Sequence, residues 1–463
     1  MTSQPSTLFP SGIVGAMASF IYRQAPYPIP EVALGAALGL MAGICGRAYQ
    51  TPKPSQGTNL YVLVVAPTGI GKDAGSDGID AIRHAVMQGS AHTQYPDLVS
   101  FSKFVGPSKF SSEAALERHL AAQSQSFVTV QGEFGKSLQR MSNPRGSQHD
   151  KDVGTAYLRL YSKSKHGVFY SGSAYADTSN NIPDILSPSV SIYAEGTPET
   201  VFAVTEDMIK DGLFPRFLFL EYKGAWPDLN RDPTEKPSQE LVDGISQLAN
   251  AALGLNQRNE VIRVQATDEA SRILEAFRVE LRRTLEHSPD EVSRHLWSRS
   301  HLRAIKLASL VAVGENWEVP TITRQAAEWA CGLETQSTNR VSARFDNGEA
   351  GSNVAESQQD KDFRRIVFEY VSGSYDNFQC YGVLRPMFHD HVVPMAYIQR
   401  RLVNIAAFKN DRIGATNAIK RTVTNFIEAG SIVEMGKADM AARYNKTGRA
   451  FVVSDAQVFV PQS

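Results

Sequence analysis

The segment APTGIGKDA, residues 66–74, carries the residue types that chemistry on a polyphosphate requires. Gly69 and Gly71 let the backbone curl so that successive N–H groups converge on phosphate oxygens, and Lys72 adds a positive charge for the β- and γ-phosphates. A helix starting directly after the loop would add the positive end of its dipole. The spacing follows GxxxxGK[ST] with two departures. Ala66 stands for the first glycine, and Asp73 stands where a Ser or Thr normally holds magnesium. Ala66, Pro67, Thr68, Gly69, Ile70, Gly71, Lys72 and Asp73 are therefore the expected nucleotide-binding loop, with ATP and Mg2+ as the expected ligands.

Such a loop works with an acidic pair at the end of a second apolar strand, an Asp that helps hold the metal and a Glu that polarises the attacking water. Here SFVTV (126–130) runs into QGEFG (131–135). Glu133 occupies the place of the Glu, but Gly132 occupies that of the Asp. The two anomalies fit together if Asp73 takes over the metal and Glu133 remains the catalytic base. The rival expectation is a site that binds ATP and hydrolyses it poorly.

These residues need a scaffold that brings strand ends together. NLYVLVVA (59–66) is a continuous apolar run rich in Val, as expected of a strand buried on both faces of a parallel sheet. Residues 98–104, 126–130, 190–196 and 217–222 read as further strands. Between them, Ser111 or Ser112 caps a helix with Ala115, Leu116 and Leu120 on one face, and a helical stretch surrounds 156–162. Strands separated by helices imply parallel crossovers, so the expected class is α/β, with a P-loop core over 55–225. Residues 1–54 read as an N-terminal helical segment. Its apolar run VALGAALGLMAGICG (32–46) is shorter than the roughly 20 residues of a membrane span and dense in Gly and Ala, which points to a closely packed buried helix. Residues 226–344, opening with the turn-rich stretch 227–237, are helical and complete the ATPase domain. Polar residues 345–361 read as a linker, and 362–463 as a separate small domain.

At 463 residues the chain is too long for a single core. A formal net charge of -1 excludes a uniformly basic DNA-coating protein. The charge is uneven: residues 361–463 hold fourteen Lys or Arg against nine Asp or Glu. There, ATNAIKRTVTNFIEAG (415–430) places Ile419, Val423, Phe426 and Ile427 on one helical face and Asn417, Lys420, Arg421, Thr424 and Asn425 on the other, with Gly430 as the stop. Two short strands follow, SIVEM and AFVVS, joined by the basic loop GKADMAARYNKTGR. Helix, turn, helix and hairpin predict a winged-helix-like domain, with Asn417, Lys420, Arg421, Lys446 and Arg449 as candidate DNA contacts. The alternative is a protein-docking domain whose basic residues are simply solvated. Cys45, Cys331 and Cys380 have no paired spacing, so neither a zinc site nor a disulfide framework is expected, and a reducing cytoplasm fits. The N-terminus shows no signal-peptide pattern.

Beyond the loop, the segments GPSKFSSEAALERHL, GEFG, EGTPETVF, DGLFPRFLFLEY and HLRAIKLASLVAV occur in an order that resembles P-loop ATPases of phages and prophages, described as replicative helicase-like or primase-associated. The resemblance covers roughly residues 10–340. It implies a RecA/AAA-like core that assembles into a homo-oligomeric ring such as a hexamer, with ATP at subunit interfaces. Thr197 would then sense the γ-phosphate, or else cap the PETVF helix. Arg216 would be an arginine finger reaching a neighbour's ATP, or else a surface arginine opening a strand, and Arg299 and Arg303 could also contact nucleotide. The expected function is an ATP-dependent DNA motor, a ring-forming replicative helicase of a phage or mobile element, without a membrane role. Single-stranded DNA would pass a pore for which Lys136, Arg140 and Lys163 to Lys165 are candidates. The alternative is an ATP-regulated winged-helix DNA-binding or origin-recognition protein without unwinding activity. A third reading is a protein-remodelling ATPase.

Overall fold

A computed structural model describes residues 8–88, 101–142, 147–203, 209, 211–287, 291–346, 358–409, 411, 414–428, 430–454 and 459. The chain divides into two compact units, Met1–Gly351 and Ser352–Ser463, and the division falls inside the expected linker, most of which lies outside the described residues.

The first unit is built on four parallel strands, β1 (Tyr61–Val65), β2 (Ser126–Gln131), β3 (Ser189–Gly196) and β4 (Phe217–Glu221), in the order β2-β3-β1-β4. In chain order its helices are α1 (Gly12–Gln24), α2 (Pro30–Cys45), α3 (Ala74–Gln88), α4 (Glu113–Ala122), α5 (Phe134–Ser142), α6 (Gln148–Leu160), α7 (Pro198–Val201), α8 (Gln239–Arg258), α9 (Asp268–His287), α10 (Glu291–Trp297), α11 (Ser300–Glu315) and α12 (Arg324–Asp346). Val62, Val64, Tyr193, Leu218 and Leu220 face a core shared with α1, α2, α3, α8 and α11. Tyr61, Leu63, Val65, Ile192 and Phe219 face the opposite core, with α4, α5 and α6. Both faces are covered, which is why the strands read as unbroken apolar runs. Register fixes the edges: Tyr61 pairs with Phe217 at one end, while Val65 pairs with both Gly196 and Glu221 at the other.

Helix α2 is buried along its whole length. Gly35, Gly39 and Gly43, spaced one turn apart, lie against the sheet. A Cβ at Gly39 would stand 2.8 Å from the Cβ of Tyr193, and one at Gly43 2.8 Å from the backbone nitrogen of Val128. Only glycine permits that approach, so the small-residue pattern is a packing code. Among the described residues no helix is long and apolar enough to cross a membrane.

Two expectations change. The strand expected over 98–104 is not formed in its described part: Phe101 to Phe104 make a 3-10 turn, and only Val105 bridges Val128 in parallel; residues 98–100 lie outside the described set. Helix α8 lies within the expected helical region 226–344: Ser238 caps it by accepting from the Leu241 N–H, and its Leu241, Ile245, Leu248 and Ala252 are buried. The N-terminal helices α1 and α2 are not a separate segment, because they share the sheet's core.

The second unit contains α13 (Gln358–Ser372), β5 (Val392–Pro394), α14 (Met395–Leu402), α15 (Ala406–Lys409), α16 (Ala415–Glu428), β6 (Ile432–Glu434), α17 (Lys437–Tyr444) and β7 (Ala450–Val453). The strands form an antiparallel sheet in the order β5-β7-β6. Ile419, Val423 and Phe426 of α16 enter a core with Phe363, Tyr370, Ile398 and Phe451. Gly430 takes φ 70° and ends the helix as expected. The segment expected to be a basic loop contains α17 instead, and β5 was missed because three residues carry too little pattern to be seen.

Candidate phosphate-binding site

β1 runs straight into residues 66–73, and α3 starts at Ala74. Gly69 (φ 77°) and Gly71 (φ 92°) adopt the left-handed backbone that the loop needs. Among the described residues, the N–H groups from Thr68 to Asp73 have no acceptor within the protein, whereas Ala74 and Gly75 already donate to Gly71 and Lys72. An array of free donors at the start of a 15-residue helix is a geometry that can cradle an anion. Ile70 is buried and anchors the loop, while Pro67, Thr68 and Gly69 face solvent. The Lys72 ammonium donates to the Ala66 carbonyl at 3.1 Å, folded back over the cradle. Partial burial lowers its pKa, against the pull of nearby carboxylates.

Of those carboxylates Glu195 acts most strongly on Lys72, ahead of Asp73, Glu199 and Glu133. Glu195 pairs with Val64 in the sheet and is buried beside Gly75, the second residue of α3. It accepts a 2.8 Å hydrogen bond from the Tyr193 hydroxyl. Burial raises its pKa to about 7; the tyrosine bond opposes this, and Asp73 and Asp77 reinforce it. The sequence reading passed over this residue as a site group. Its signal is a carboxylate near the end of the strand SVSIYAEG, and only the strand order shows that this strand abuts the loop.

Glu133 lies at the end of β2, one strand further from the loop, because β3 intervenes. Its side chain is 84% exposed, 3.5 Å from Lys136, and its backbone holds φ 48°, unusual for a residue with a side chain. The space around a Cβ at Gly132 is open, so sterics do not explain the missing Asp. Asp73 is exposed at the loop's end. Thr197 follows β3 at the same edge, and its carbonyl and hydroxyl engage Thr200 at the start of α7, the capping role.

No protein-family model matches the chain, and no curated protein matches it. The roles of the remaining candidates rest on their positions alone.

Arg216 precedes Phe217, so it lies at the opposite edge of the sheet from Lys72. It is 8% exposed, bonds the Gly212 carbonyl and lies over the Tyr161 ring. In this conformation it presents no guanidinium to a neighbour. Arg303 is at the same far edge, buried in an ion pair with Glu334 and bonded to the Pro215 carbonyl, so it does not reach the loop as expected. Arg299 is half-buried one turn before it. The pore candidates separate likewise. Lys136 and Arg140 belong to α5 at the same edge as residues 66–73, whereas Lys163 and Lys165 flank Ser164, which bonds Asn59 at the far edge.

In the second unit, Asn417, Lys420 and Arg421 share the exposed face of α16, as the periodicity predicted. Arg421 bonds Asp411 and Gln359. Arg449 makes a paired contact with Glu434 at 2.7 and 2.8 Å, which neutralises it locally. Lys446 is exposed just after α17.

Proposed function

We propose that the chain is a P-loop ATPase driving a DNA motor, a ring-forming replicative helicase of a phage or mobile element. The observation that carries the reading is the row of N–H groups from Thr68 to Asp73 with no acceptor among the described residues, on the same loop as Lys72 and beside the buried Glu195. The strand order supports a RecA/AAA-like core, since the loop's strand lies inside the sheet and the Glu133 strand lies one strand away. The sheet β5-β7-β6, with α16 packed on it, supports a winged-helix-like second domain.

Among the described residues no three His, Cys, Asp or Glu side chains form a metal cage. Mg2+ on a nucleotide needs only one or two carboxylates beside phosphate oxygens and water, and Asp73 with Glu195 fits that donor set. The ion, when bound with ATP, neutralises charge on the phosphates. Lys72 and the loop N–H groups hold the phosphates, Glu133 polarises the water, and Glu195 stands in for the carboxylate that Gly132 lacks. Arg216 would serve a neighbour's ATP only after leaving its buried place. That burial favours a second reading, an ATP-regulated winged-helix DNA-binding protein without unwinding.

The test is ATP hydrolysis with and without single-stranded DNA, beside Lys72→Ala. Strong DNA stimulation, lost in Lys72→Ala and reduced in Asp73→Ser, supports the motor. ATP binding without turnover would transfer the assignment to the second reading.

A further inference from the structure

A cavity of about 910 Å³ adjoins the phosphate loop, lined among others by Tyr22, Glu31, Tyr222, Trp226 and Arg340. Two contacts join it to the loop. The Trp226 ring reaches to 3.6 Å from where a Cβ on Gly69 would stand, and Tyr27, just before the cavity residue Pro28, lies 3.2 Å from the corresponding point on Gly71. Trp226 is 60% exposed, so much of its side chain is open to a ligand beside the loop. The wall also holds a buried polar group that nothing satisfies: Glu31 Oε2 has no hydrogen-bond partner, while Oε1 is 3.9 Å from Arg340. Arg340 is itself held by the Glu221 carbonyl at 2.7 Å. A buried acceptor left unsatisfied is costly, so a donor is expected to arrive with the ligand.

We infer that this cavity receives the nucleoside of the nucleotide whose phosphates occupy residues 68–73, with Trp226 stacking on the base and Glu31 accepting from its amino group. The inference rests on the phosphate-loop reading. It goes further by locating where the base of that nucleotide is held and which side chains read its amino group. Flat aromatic contact supplies affinity for any base, since every base has a π face. The unsatisfied carboxylate oxygen supplies discrimination, because a site built to bond an N–H rejects the analogue that lacks it.

The experiment measures binding of ATP, inosine triphosphate and inorganic tripolyphosphate by calorimetry to the full chain and to Trp226→Ala, Glu31→Met and Lys72→Ala. Trp226 is a surface residue, so its removal leaves the fold intact. Trp226→Ala is expected to weaken ATP by about tenfold or more, in line with the worth of base stacking, and to leave tripolyphosphate unchanged. Wild type is expected to prefer ATP over inosine triphosphate, and Glu31→Met to level the two. Equal ATP affinity in Trp226→Ala and wild type overturns the cavity assignment while Lys72-dependent tripolyphosphate binding keeps the loop. If Lys72→Ala binds all three ligands as wild type does, the loop reading fails and the cavity assignment falls with it.

Discussion

Replacing Glu195 by Gln tests whether burial at the loop controls the charge of the site. The carboxyl is 4% exposed and its pKa stands at about 7 against a reference of 4.5, raised first by desolvation. In the unfolded chain it ionises near its reference value, so between those two pH values the folded state binds more protons. Stability from this group is therefore fully present below about pH 4.5 and is lost as pH rises through about 7. A difference of roughly 2.5 units at 1.36 kcal/mol each corresponds to about 3 kcal/mol. The glutamine amide keeps an acceptor for the Tyr193 hydroxyl but carries no titrating proton. Urea unfolding read by tryptophan fluorescence is well suited, because all four Trp residues, at 226, 297, 317 and 329, lie in the first unit. The stability of Glu195→Gln relative to wild type is expected to rise by about 3 kcal/mol from below pH 5 to pH 8, levelling off above about pH 7. A stability difference that is the same at both ends of that range would refute the argument, since it would mean that the folded carboxyl titrates where the unfolded one does.

Gly39→Leu forces a side chain into the 2.8 Å gap against Tyr193 and should cost at least about 1–3 kcal/mol, measurable as a lowered urea midpoint; an unchanged midpoint would show that α2 does not sit tightly on the sheet. Glu334→Gln leaves the Arg303 guanidinium buried without its counter-charge, and a loss of about 3–5 kcal/mol is expected, visible as a drop in the thermal transition of the first unit. In the second unit, the double change Lys420→Ala and Arg421→Ala should weaken duplex DNA binding and reduce the slope of log K against log salt by about 2, one per lost phosphate contact. An unchanged slope in a filter-binding or anisotropy titration would move the role of α16 to protein docking.

Local rules in the sequence determined the backbone of the loop and most of the elements around it. Gly69 and Gly71 were legible because few other residues accept positive φ, and β1 was legible because a strand covered on both faces must be apolar throughout. The two faces of α16 followed from helical period alone. Tertiary structure decided which strand ends meet. Glu195 became the acid with the strongest pull on Lys72 because β3, not β2, pairs with β1, and strand order leaves no mark in local pattern. The same register sent Arg216 and Arg303 to the far edge, where burial turned two candidate nucleotide contacts into core anchors. Trp226 and Glu31, nearly two hundred residues apart, line one cavity only because β4 ends beside the start of α2. Spacing along a chain reports what its own backbone can do, whereas a site shared by distant segments depends on packing that the chain reaches only when folded.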